Sequence, residues 1–104
     1  MNSELKNIKK IIVNQSLELD CGKIIKNFPL AYETYGTLNK NKDNAILAFH
    51  ALTGDQFCTN INPITKREGW WTFAIGPGKA FDTNKYFVIC ANVLGGCMGS
   101  YGPK

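Results

Sequence analysis

The chain has one histidine, His50, and one arginine, Arg67, and each shortage excludes a class of chemistry. A lone histidine cannot complete a familiar Cys/His zinc set with Cys21, Cys58, Cys90 and Cys97, which contain no CxxC pair, so no metal is expected. A nucleic-acid surface clusters its basic groups and uses arginine for bidentate contacts. Here the twelve basic residues are scattered and the net charge is only +4, so no nucleic-acid partner is expected. No apolar run approaches the roughly 18 residues that a membrane helix requires. The amino terminus MNSELKNIKK is polar, with no apolar signal core behind its lysines. No membrane partner and a cytoplasmic location are the expectation. Nothing else looks secreted, so the four cysteines are expected as free thiols. Repeats, low-complexity segments and linkers are lacking too, which leaves residues 1–104 as one domain or part of one.

What is present is apolar side chain, 44% hydrophobic and 12% aromatic, enough for a core. Ile11 to Leu19 carries an extended pattern, Asp20-Cys21-Gly22 punctuates it, and Ile24 to Tyr35 resumes with β-branched and aromatic residues. That predicts an antiparallel pair, with Pro29 confining the second strand to an edge or a bulge. Asn39 to Asn44 is a polar turn. Two runs, Ala45 to Phe49 (AILAF) and Tyr86 to Ala91 (YFVICA), are continuously apolar. Such strands are buried on both faces, as in a parallel sheet covered by helices. The residues between them are ample for a crossover, with a short helix expected over Trp70 to Ile75, broken by Gly76-Pro77-Gly78, and another turn over Lys79 to Thr83.

In an open α/β sheet, ligands gather at the carboxyl ends of the parallel strands. HALTGD (residues 50–55) and ANVLGGCMGSYGP (residues 91–103) occupy such positions. A loop containing Gly54 can turn sharply and point amide hydrogens outward, as an oxyanion hole requires, although a glycine there serves an ordinary strand-to-loop turn equally well. His50 at a strand end followed by a turn reads as structural rather than as a general base. Ser100 fails as the centre of a GxSxG elbow, because Met98 stands where the first glycine belongs. GGCMGSYGP lacks both the Walker and the GxGxxG patterns. Trp70 and Trp71 could line a ligand site, but adjacent tryptophans more often divide between core and surface.

Taken together, YETYGTLN (32–39), HALTGD (50–55), GWW (69–71), GPGKAFDTNKYFVICANVLGGC (76–97) and GSYGP (99–103) resemble the amino-terminal segment of the homoserine O-acetyltransferases. The resemblance runs almost continuously from Leu30 onward. It implies an α/β fold, the amino-terminal portion of an α/β-hydrolase domain, with an antiparallel β pair leading into parallel strands of an incomplete sheet. It implies acetyl-CoA as co-substrate with no bound cofactor, L-homoserine as acceptor, a role in methionine synthesis, and a homodimeric full-length enzyme. Succinyl-CoA as donor, serine as acceptor, or a non-enzymatic interaction stub are the alternatives.

By the family's pattern the Leu52 backbone amide is one oxyanion-hole donor, with His50, Thr53, Gly54, Gly95 and Gly96 in loops around the substrate pocket. The lost donor of such a hole typically costs about 2.7 to 4 kcal/mol of barrier. No residue here matches the family's serine nucleophile, its triad Asp and His, or its helical lid. The resemblance also sets AILAF between YFVICA and the nucleophile-bearing strand. An exposed AILAF edge and a catalytically silent, marginally folded isolated chain are therefore expected.

Overall fold

The computed structural model describes residues 8–102. Among these described residues eight strands follow one another: β1 (Lys10–Val13), β2 (Leu17–Glu18), β3 (Ile24–Ile25), β4 (Phe28–Tyr35), β5 (Ala45–Ala48), β6 (Ile75–Gly76), β7 (Phe81–Asp82) and β8 (Phe87–Ala91). Four of them build a mixed sheet in the order β1-β4-β8-β5, in which β4 is antiparallel to both neighbours and β5 runs parallel to β8.

The expected antiparallel pair forms, and it breaks where the sequence weakens. β1 pairs with the first half of β4, and β2 and β3 continue as a small hairpin around Gly22 (φ 88°). The interruption before β4 falls at Asn27, one of the residue types that tolerates the left-handed conformation it adopts here (φ 49°). Pro29 does not put β4 at the edge of the sheet, because β8 lies on its other side. The two ladders are staggered: Pro29 sits opposite Ile12, whereas β8 pairs only with Tyr32 to Tyr35. A residue without an N–H is thus accommodated where β4 has a strand on one side only.

β5 and β8 are parallel as their apolar runs predict, with Ile46 beside Val88 and Ala48 beside Cys90. Burial on both faces is not found. Ala48, Val88 and Cys90 point into a core with Cys58 and Ile75, flanked by Tyr35, Ile46, Trp71 and Phe81. The alternate positions of β5 are open, Leu47 being 57% and Phe49, just beyond the strand, 79% exposed. The reason is that residues 49–86 cover a single face, and no helix lies among the described residues to cover the other.

The helix expected over Trp70 to Ile75 is replaced by turns closed by Ala74 N–H and Ile75 N–H on the Trp71 carbonyl, leading into β6. The segment over Lys79 to Thr83 contains β7, parallel to β6. The aromatic pair explains this outcome, since Trp71 must reach Phe81 in the core (centroids 4.9 Å) while Trp70 stacks on it from outside (5.8 Å). Trp70 also donates its indole N–H to the Asp55 carbonyl at 2.8 Å, so the pair divides between core and surface. Burying large apolar groups contributes about 1.5 to 3 kcal/mol each, more than a single helical turn can return.

Candidate functional site

Because β5 and β8 are parallel neighbours, their carboxyl ends deliver residues 49–55 and 92–102 side by side. His50 joins the two. Its Nε2 accepts the Val93 N–H at 3.1 Å, and its Nδ1 lies 2.7 Å from the Ala51 carbonyl oxygen. An Nε2 that accepts and an Nδ1 that donates specify a neutral ring protonated on Nδ1. The ring is therefore engaged at both nitrogens, as a structural histidine would be.

Behind the ring stands Asn92, only 1% exposed at the end of β8. Its Nδ2 is 3.4 Å from His50 Nε2, and its Oδ1 accepts the Met98 N–H at 3.1 Å. Gly96 packs directly on this amide: a Cβ there would come within 2.5 Å of Oδ1. Gly95, at φ 85°, makes the preceding turn and donates its N–H to the Tyr101 carbonyl. Ser100 is buried and fully committed. Its Oγ donates to the Asn92 carbonyl and accepts the Ala31 N–H at 2.9 Å, which leaves no role as a nucleophile.

Gln56 forms a second tie between the loops, donating Nε2–H to the Met98 carbonyl at 3.0 Å while its backbone carbonyl accepts the Tyr35 hydroxyl at 3.2 Å. Beneath it Cys58 and Cys90 lie together in the core, and Cys90 Sγ donates to the Asp55 carbonyl at 3.8 Å. The neighbouring Cys58 thiol, reinforced by burial, pushes the Cys90 thiol far up, so Cys90 stays protonated at neutral pH. The same pairing draws Cys58 down, and burial pushes the Tyr35 phenol up. All four cysteines are free thiols. Among the described residues no group of three His, Cys, Asp or Glu is placed to hold a metal ion, and no helix is long and apolar enough to cross a membrane.

Leu52 is 96% exposed, and its N–H has no hydrogen-bond partner among the described residues. Gly54 closes the turn by donating to the Ala51 carbonyl at 2.8 Å, and Thr53 at its tip is exposed. Gly54 does not adopt a left-handed φ; a Cβ there would crowd the His50 Cβ at 3.0 Å and press that side chain to shift. Across the β5–β8 seam the structure joins His50, whose turn carries Leu52, Thr53 and Gly54, to Val93 and to the Asn92 amide on which Gly96 packs; Gly95 makes the turn beside it. Sequence reasoning passed over Asn92 and Gln56. The one available signal was a polar residue directly after the apolar run of β8.

No family profile matches the chain. Comparison with individual proteins is more informative. The chain is 74% identical over 98 residues to the homoserine O-acetyltransferase of Pelagibacter ubique (strain HTCC1062), an alignment covering 94% of this chain and 26% of that protein. Among solved structures, the homoserine O-acetyltransferase from Bacillus anthracis superposes with a TM-score of 0.70 at 39% identity, over 81% of this chain and 22% of that one. Esterase E22 superposes with a TM-score of 0.74 at 30% identity, over 93% and 28% respectively. The chain spans about a quarter of the length of the curated relatives it matches. Over that span its sheet matches that of α/β-hydrolase-fold enzymes, and its sequence is similar, at 54–74% identity, to homoserine O-acetyltransferases.

Proposed function

We propose that this chain forms the amino-terminal part of an α/β-hydrolase-fold acyltransferase that moves an acetyl group from acetyl-CoA to the hydroxyl of L-homoserine, in methionine synthesis in the cytoplasm. The observation that carries the reading is the 74% identity over 98 residues to a homoserine O-acetyltransferase. The unpartnered Leu52 N–H supports it chemically. A serine supplied by the remainder of the enzyme loses its proton to a base and attacks the thioester carbonyl, the oxygen gains negative charge that Leu52 N–H is one of the donors to receive, and collapse breaks the C–S bond, releasing coenzyme A as the thiol and leaving the acyl-serine. When homoserine attacks the acyl-serine, the same donor serves the second intermediate. His50, Thr53, Gly54, Gly95 and Gly96 shape the loops around it, and the whole enzyme is read as a homodimer.

A hydrolase is the second reading, because an esterase is also a structural neighbour. It differs only in whether water or an amino-acid hydroxyl takes the acyl group. The test is a graft in which residues 1–104 replace the matching residues of the P. ubique relative. Acetyl-CoA consumption dependent on homoserine, and absent with succinyl-CoA or serine, is the expected result. Homoserine-independent release of acetate would support the hydrolase, and an inactive but folded graft would sink both. The 104-residue chain assayed alone is expected to be silent.

A further inference from the structure

The Ala51–Leu52 peptide is a planar trans unit, so its C=O and its N–H point in opposite directions. Whatever holds the Ala51 oxygen also aims the Leu52 hydrogen. Two donors hold it, the Gly54 N–H at 2.8 Å and the Nδ1–H of His50 at 2.7 Å. The first belongs to the turn itself and moves with it. The second comes from a ring whose other nitrogen is fixed to the end of β8 through the Val93 N–H.

We propose that His50 is a positioning residue for the oxyanion donor: by gripping the Ala51 carbonyl it sets the direction of the Leu52 N–H relative to the sheet. The inference rests on the reading of Leu52 as that donor. It assigns His50 neither proton transfer nor contact with substrate. Three features of the seam serve this grip. Val93 N–H, donating to Nε2, requires the tautomer in which Nδ1 carries the proton that Ala51 needs. The Asn92 amide backs the ring at 3.4 Å and is itself held by Met98 N–H. Gly96 leaves the space that the amide occupies.

The geometry separates this role from simple loop stapling, because the two ring nitrogens do different work. Asparagine at position 50 retains a donor at the distance of Nδ1 but loses the reach to Val93. Glutamine retains the reach to Val93 but has no donor close to the next carbonyl.

In the graft described above, His50→Gln is expected to lower kcat by about tenfold or more, towards the roughly hundredfold loss typical of a missing oxyanion donor, with KM for acetyl-CoA changed by less than about threefold. His50→Asn, which keeps a donor for the Ala51 carbonyl but not the anchor to Val93, is expected to lose kcat as well, by less than His50→Gln does. The reverse order, or equal losses in the two variants, overturns the proposal in favour of a loop staple. Nitrogen-15 spectra of the histidine, assigned by its loss in the two variants, supply a readout independent of turnover: a neutral ring protonated on Nδ1 is expected, and one protonated on Nε2 overturns the proposal. An inactive wild-type graft would remove the functional reading alone, leaving the tautomer measurement to judge the grip.

Discussion

Ser100 and Asn92 show how far a single side chain can mislead or inform. The missing first glycine of an elbow was enough to reject Ser100 as a nucleophile, and the structure supplies the positive reason: the hydroxyl is spent on Ala31 N–H and the Asn92 carbonyl. Ser100→Ala should therefore act on stability, leaving a buried N–H and a buried carbonyl without partners at a cost of about 1 to 3 kcal/mol. Thermal melts of the graft and its variant would show this as a lower midpoint with acetyl transfer retained below the transition; loss of transfer in a fully folded variant would contradict the assignment. Leu52 was singled out only through the family resemblance, because an exposed leucine in a loop carries no local sign of what its backbone does. Asn92 and Gln56 were not legible at all. A lone amide reads as surface until the two loops that it joins are seen together.

At the scale of elements, the apolar runs predicted β5 and β8 and their parallel pairing, and the punctuation at Gly22 predicted the hairpin. Helices fared worse, because the crossover is organised by side chains closing on nearby backbone, a pattern that periodicity does not detect. Asp82 is one such closure. Its Oδ1 accepts the N–H groups of Gly78 at 2.9 Å and Asn84 at 3.0 Å, and these two bonds hold its carboxyl below the usual carboxylate range. A depressed value favours the charged form in the folded state, so the contribution is complete above the unfolded carboxylate range near pH 4 and is lost as pH falls through the folded value. Asp82→Ala should accordingly melt below the wild-type sequence at neutral pH, and the difference should shrink to nothing in strong acid. A difference independent of pH would show that the carboxylate is not the cause.

At the scale of the molecule, the sheet order β1-β4-β8-β5 leaves β5, among the described residues, with one unpaired edge and an open face carrying Leu47 and Phe49. The apolar run promised a doubly covered strand, and residues 8–102 cover one side of it only. That mismatch between sequence character and surroundings is itself information: AILA is composed for an interior that these residues do not complete. Expressed as 104 residues alone, the chain should self-associate through this edge. Leu47→Lys, on the open face, should shift it towards monomer in light scattering. A sharp, cooperative melt of a monomeric unmutated chain would show instead that the edge is tolerated.

The order of pairing has a further consequence during synthesis. β5 is complete at Ala48, yet the strand it must join ends at Ala91, and β4 waits for the same partner. At ribosomal speeds this delay is on the order of seconds, during which two finished strands have no β8 to receive them. Slow codons within residues 49–86 would lengthen that interval, so translation tempo across the crossover, and chaperones that hold extended apolar segments, should govern the yield of folded protein more than changes in the final contacts do.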